Sequence, residues 1–314
     1  MSTKNSNTSQ ELFNLNGKPS FGQALPLAFQ HVVAMIIGCV APAIILAGVS
    51  GLSESDTVVL IQASLAMSAI STFIQLFPFI KFKSYQIGAG LPVIMGISFA
   101  YVPIMQSIAQ DADVGTILGA QIVGGIVAII VGIFIRKLTP RQIGIIKAPL
   151  YPTAINYMAG GTSNPDYGSW QNWLVAIITL VVVTGLNHFG KGFLKLSSVL
   201  IGIIVGYVVA LGFGMVDFSS VLTAKWVQFP QPMHFGIKFE PSSCVAIAVL
   251  FAISSIQAIG DFSATTTGGI DRMPTDEELS GGIIGYGVSN IVCAFFSGLP
   301  TATYSQNVGI VSST

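Results

Sequence analysis

The chain has 314 residues, 52% of them hydrophobic and only 8% charged, with 13 basic side chains balanced by 13 acidic ones. A charged share about a third of the roughly 25% usual in soluble proteins excludes a soluble globular domain and reads as a polytopic membrane protein. Zero net charge leaves no electrostatic footprint for a nucleic-acid partner, and Cys39, Cys244 and Cys293, with no C-x-x-C spacing, read as buried thiols rather than metal ligands or disulfides.

Residues 1–20 are polar and contain no basic-then-apolar leader, so the first span itself directs insertion. Apolar runs near twenty residues long predict spans over 25–49 and 57–80. The third, 86–105, is broken by Gly90, Leu91 and Pro92. A fourth covers 114–135, a weak and short fifth 143–158, a sixth 173–186 and a seventh 194–215. The eighth lies at 244–262 and the ninth at 281–296. The tenth run, 298–314, reads G-L-P-T-A-T-Y-S-Q-N-V-G-I-V-S-S-T. It ends inside its apolar stretch with no charged flank, so a fragment of a longer protein is expected.

Counting basic residues gives an orientation. With the N-terminus cytoplasmic, Lys4, Lys18, Lys81, Lys83, Arg136, Lys137, Arg141, Lys147, Lys191, Lys195 and Arg272 face inward. Only Lys225 and Lys238 face outward, a strong positive-inside bias that also supports the span count.

The tenth run carries the argument about function. Gly298 and Pro300 break its helix before Tyr304, and Gln306 and Asn307 then set two amides at the mouth of a new apolar stretch. Within a bilayer, non-helical backbone is tolerated only where protein or a watery cavity surrounds it. The G-L-P at Gly90 repeats the one at Gly298, and six positions past each proline stand Ser98 and Gln306, followed by Phe99 and Asn307. Broken segments at matching places in two halves point to a transporter's central site; a loop at the membrane surface is the plainer alternative.

Polar side chains inside spans are expensive and so functional by default. Asp261 is the acid well inside a span, with Gln257 four residues earlier on the same helical face. The alternative is a hydrated structural carboxylate near the helix end. His31, after Gln30 in the first span, is either a helix–helix hydrogen-bond partner or a proton-linked switch. Ser98 offers a hydroxyl, Phe99 an aromatic face, and Gly88, Gly90 and Gly96 close packing. Amides, a hydroxyl, an aromatic ring and freed backbone groups suit a flat, neutral, hydrogen-bonding heterocycle. No nucleophile–base pair, phosphate loop or H-E-x-x-H is present, so an enzyme is not expected and no cofactor or metal is called for.

These residues resemble a known family. Gln306, Asn307, Val308, Gly309 and, four residues on, Thr314 are similar to the Q-N-x-G-x-x-x-x-T signature of the nucleobase–ascorbate transporters. Gln30-His31 resembles the family's Q-H pair, Ser98-Phe99-Ala100 its strand in span three, and Ile259-Gly260-Asp261 its span-eight motif. The resemblance implies fourteen helical spans in two inverted seven-span repeats, of which about ten are present here, with short antiparallel strands in spans three and ten meeting between a core and a gate. It divides the chain into a cytoplasmic tail (1–20), core spans one to four (21–135), a gate (136–242) and an incomplete second core repeat (243–314). It further implies a proton symporter of the cell membrane for xanthine, urate or uracil, paired as homodimers. Gln306 and Gln257 would hydrogen-bond the base, Phe99 and Ser98 would contact it, and Asp261, His31, Asn307 and Gln30 would support the site and its coupling.

The chain departs from that pattern at Gln257, where members usually carry Glu; an amide still pairs with a base but takes up no proton. Gln306 resembles the purine members, whereas uracil members more often have Glu there. The expectation is therefore xanthine or urate uptake. The rivals are a uracil permease, an anion transporter of the sulfate type on the same fold, and a nucleobase receptor that does not transport.

Overall fold

In the computed structural model the described residues are 21–78, 80–82, 85–135, 155, 158–160, 166–190, 198–216 and 230–311. The chain forms two compact units, one of Met1–Lys147 with Phe229–Thr314 and one of Ala148–Gln228.

The larger unit starts with α1 (Phe21–Val49) and α2 (Glu54–Leu76). Ser53 caps α2 by accepting the Asp56 amide N–H, and Glu54 and Asp56 complement the helix dipole. After α3 (Val102–Asp111), Asp113 caps α4 (Val114–Phe134) through the Thr116 amide. Glu240 and Pro241 open α7 (Pro241–Ile270), and a capping box of Thr275 and Glu278 opens α8 (Asp276–Phe295). Helix α4 packs against both α7 and α8. At the α4–α8 crossing a Cβ on Gly125 would lie 2.8 Å from the Gly287 carbonyl oxygen, so the two backbones meet through glycines, as small residues permit between membrane helices.

The third predicted span is broken, and hydrogen bonds from neighbouring elements hold its irregular backbone. Helix α2 stops at Leu76, four residues before the predicted end, because Ile80 belongs to β1 (Ile80–Phe82), antiparallel to β2 (Tyr85–Ile87). Gly88 (φ 102°) and Gly90 (φ 70°) then turn the chain in the left-handed region that side chains resist. The Gly88 amide donates to the Gly281 carbonyl at 2.9 Å and the Gly90 amide to that of Gln75 at 2.7 Å. The Gln75 side chain accepts from the Ala89 amide at 3.0 Å and donates to the Gly282 carbonyl at 2.8 Å. Irregular backbone at this depth is thus enclosed by protein, as the bilayer requires.

Strand β3 (Met95–Ile97) follows and pairs antiparallel with β4 (Thr301–Thr303), Gly96 opposite Ala302. Side chains close the outer edges of this ribbon. Thr72 Oγ1 accepts the Met95 amide at 3.0 Å, and the Tyr304 hydroxyl donates to the Ile97 carbonyl at 2.6 Å. On the β4 side, Asn290 accepts the Thr301 amide at 2.8 Å and donates to its carbonyl at 3.1 Å, copying a third strand. The ribbon leads on one side through a 3-10 turn (Phe99–Tyr101) into α3, and on the other into α9 (Ser305–Val311).

The smaller unit contains α5 (Trp170–Phe189), capped by Ser169, and α6 (Ser198–Gly212). They pack on each other, with Gly202 against Val183 and Gly206 against Thr179. Trp170 meets Phe213 edge-on at 5.6 Å.

Among the described residues, α2, α4, α5 and α7 are long and apolar enough to cross a membrane. Apart from residues 155 and 158, the predicted fifth span lies outside the described residues. Two further boundaries need correction. Helix α7 runs eight residues past the predicted end at 262, because Thr265 and Thr266 return their hydroxyls to the carbonyls of Asp261 and Phe262. Helix α8 starts five residues before 281, because its acidic first turn is a cap rather than a loop. The G-L-P echo is also out of step: its copies are 208 residues apart (90 to 298), while the strands they lead into are 206 apart (95 to 301). Ser98 therefore corresponds by element to Tyr304, not to Gln306.

Candidate functional site

Helix α8 ends at Phe295, and Ser297, at φ 62°, turns the chain into Gly298, Leu299 and Pro300 before β4. Alternation along Thr301, Ala302, Thr303 and Tyr304 then sends side chains to opposite faces of the ribbon. The Thr303 hydroxyl donates to Asp261 Oδ2 on α7, and the Ser305 hydroxyl donates to Asp261 Oδ1 at 2.7 Å. Asp261 is buried, and both of its oxygens are committed to the junction of β4 with α9. That rules out the hydrated reading. The predicted common face with Gln257 divides: Gln257 is exposed one turn away while Asp261 points inward.

The first span meets the same junction. Asn307 is 1% exposed, and its side-chain amide nitrogen donates to the His31 carbonyl at 3.2 Å and lies 3.0 Å from His31 Nδ1. Residues 276 apart in the chain are thereby brought into contact. Asn307 Oδ1 is buried without a hydrogen-bond partner among the described residues.

On the opposing strand, Ser98 caps the 3-10 turn by accepting the Ala100 amide at 3.3 Å, and its own amide donates to the Pro300 carbonyl at 3.0 Å. Phe99 is half-buried at the first position of that turn. Helix α7 packs against the turn, β4 and α9. The structure therefore gathers Asp261, His31 and Asn307 at the junction of β4 with α9, and sets Ser98 and Phe99 at the turn that follows β3. Gln306 lies in α9 and Gln30 in α1, and their side chains are outside the described residues.

Several further site-forming residues carry a signal in the sequence. Thr303 and Ser305 stand inside the broken tenth run. Asn290 and Gln121 are fully buried amides in apolar helices, the Gln121 side chain donating to the Asn290 carbonyl at 3.0 Å, and the cost of polar groups in a span flags both. Tyr304 has no such signal. Its ring fills the space Gly96 leaves, where a Cβ would come within 2.5 Å of Tyr304 Cζ.

An apolar cleft of about 570 Å³ opens between α1, α2 and the segment around Pro92. Among the described residues, His31 is the sequence-predicted one that lines it, and the described walls are otherwise almost wholly hydrocarbon. A hydrogen-bonding ligand gains little there. The polar groups converge instead at the ribbon.

Comparison with known proteins bears on this arrangement. The chain is 32% identical to the xanthine permease of Bacillus subtilis over 94% of its own length and 68% of the relative's. It is 31% identical to the uric acid permease PucK of the same organism, covering 92% of this chain and 68% of that one. The chain spans 62% to 71% of the length of the curated relatives it matches. Among solved structures, the transmembrane domain of a cyanobacterium bicarbonate transporter, BicA, superposes with a TM-score of 0.57 at 14% identity, over 94% of this chain and 78% of that one, a likeness of fold. The model of the Permease family (Xan_ur_permease) matches residues 22–314, so the chain, with its Q-N, Q-H and I-G-D motifs, belongs to this permease family, the nucleobase–ascorbate transporters.

Proposed function

We propose that the protein takes up a purine nucleobase, xanthine or urate, by proton-coupled secondary transport. The observation that carries this reading is the pinning of the β4–α9 junction, by Asp261 to Thr303 and Ser305 and by Asn307 to His31, which gathers hydrogen-bonding groups at a helix break inside an apolar protein. In this reading Gln306 and Gln257 pair with the edge of the base, Phe99 stacks on it and Ser98 shapes the backbone beside it. Gln30 supports the site, and Asp261 and His31 carry the coupling. The relatives named for xanthine and uric acid support the substrate class.

The architecture that goes with it has fourteen spans in two inverted repeats, a cytoplasmic N-terminus, a core of 21–135 and 243–314 and a gate of 136–242, with pairing into homodimers. Competition tests the substrate: uptake of labelled xanthine falls with excess urate and is untouched by uracil or sulfate. Gln306→Ala abolishes uptake while the protein stays in the membrane. Uptake competed by uracil or sulfate instead overturns the substrate assignment, and binding without uptake overturns transport in favour of a receptor.

A further inference from the structure

Between β3 and α3 the chain turns through Phe99–Tyr101, and the two ends of this turn differ in surroundings. Phe99 is half-buried, whereas Tyr101 is wholly buried. The Tyr101 hydroxyl donates to Ser254 Oγ on α7 at 3.0 Å and lies 2.5 Å from the Tyr286 hydroxyl on α8. Phe251 holds both rings, tilted against Tyr101 at 5.1 Å and stacked on Tyr286 at 5.3 Å. Three neutral hydroxyls thus share one apolar pocket, and no charged group is among them. In such surroundings a satisfied network specifies one geometry, and a partner left unpaired is penalised more heavily than the bond itself is worth.

The position of this cluster matters more than its strength. Tyr101 is two residues after Phe99, and Ser254 is three residues before Gln257, about 4.5 Å along the helix axis. The Tyr101–Ser254 bond therefore ties the turn carrying the aromatic ring to the helix carrying the exposed amide. We infer that Tyr101, held by Ser254 and Tyr286, is a positioning residue that sets the gap between Phe99 and Gln257 and so selects which purine fits. The inference rests on the transport reading above. Its consequence is a change in substrate preference rather than in folding, because aromatic packing around Phe251 survives loss of one hydroxyl.

The test compares Tyr101→Phe, Ser254→Ala and Ser254→Thr in the full-length protein, measuring KM and maximal rate for labelled xanthine and labelled urate. Tyr101→Phe and Ser254→Ala each raise the KM for xanthine about fivefold to tenfold. Both also shift the xanthine-to-urate KM ratio, with maximal rates per molecule in the membrane changed less than the KM. Ser254→Thr keeps the hydroxyl and stays near wild type. The double variant Tyr101→Phe with Ser254→Ala is no worse than Tyr101→Phe alone, since that variant already removes the bond to Ser254. A KM ratio that is unchanged in the variants, with only the amount of protein reduced, overturns the inference while the transport reading stands. A wild-type protein that takes up neither purine overturns the reading and the inference with it.

Discussion

Asp261 accepts a hydrogen bond from the Ser305 hydroxyl at 2.7 Å, joining the middle of α7 to the first residue of α9. With Thr303 on the other oxygen, each carboxylate oxygen holds one hydroxyl of this junction. Asp261→Asn keeps the shape but turns one acceptor into a donor facing a hydroxyl. The expected result is loss of concentrative xanthine uptake together with a destabilisation of about 1 kcal/mol, as that hydroxyl turns to accept and charge-assisted bonds give way to neutral ones. Thr303→Ala and Ser305→Ala each cost more, about 1–3 kcal/mol, because each leaves one oxygen of the buried carboxylate without its donor. Thermal unfolding of the purified variants, alongside uptake, checks the ranking.

The contact between Asn307 and His31 links the tenth run to the first span. His31→Ala and Asn307→Ala should each lower uptake, and the double variant should fall short of additivity by about 0.5–1.5 kcal/mol in stability, as residues sharing one bond do. Additive losses would show that the two side chains act apart.

Much of this site was legible before the structure. Gly90 and Gly298 with their prolines announce breaks, and Asp261 stands out as an acid in a hydrocarbon run. The ribbon's register was not legible, since the G-L-P echo and the strands differ by two residues. Three-residue strands carry too little alternation to fix pairing, and their edges are completed by Thr72 and Asn290, far away in sequence. Gln257 and Asp261 show the same limit. Helical spacing places them one turn apart, but whether each is buried depends on β4, which spacing on α7 does not reveal.

Gly96 is held to its size by Tyr304. A Cβ there would fall 2.5 Å from Tyr304 Cζ and 2.9 Å from Cys39 Sγ, while Tyr304 is anchored to the Ile97 carbonyl. Gly96→Ala should destabilise by about 1–3 kcal/mol through overpacking, seen as a lower unfolding temperature and reduced yield in the membrane. Gly51→Ala, where a Cβ would meet nothing within 4 Å but φ is 60°, provides a comparison for backbone strain without crowding.

Two helix caps predict an acid limit to stability. The Lys238 ammonium bound to Asp113 holds that carboxyl below its usual 3.8, more than offsetting partial burial. The hydrogen bonds Glu240 accepts from Ser243 and Ser242 push its carboxyl down to about 2. Because the folded values lie below the unfolded ones of 3.8 and 4.5, their stabilisation is complete above those values and is lost as pH falls through the folded ones. These two groups therefore contribute a flat unfolding temperature from about pH 5 to 8 and a decline below about pH 4. Asp113→Asn should lower the plateau and shrink the decline, which a pH series of thermal unfolding measures directly.

Uptake of labelled xanthine by cells expressing the full-length protein, at acid and neutral pH with and without a protonophore, tests the central claim most directly. Uptake that is faster at acid pH, suppressed by excess urate and abolished by the protonophore is the predicted result. Xanthine uptake indifferent to the protonophore would contradict proton coupling through Asp261 and His31, and absence of xanthine and urate uptake would contradict the purine transporter itself.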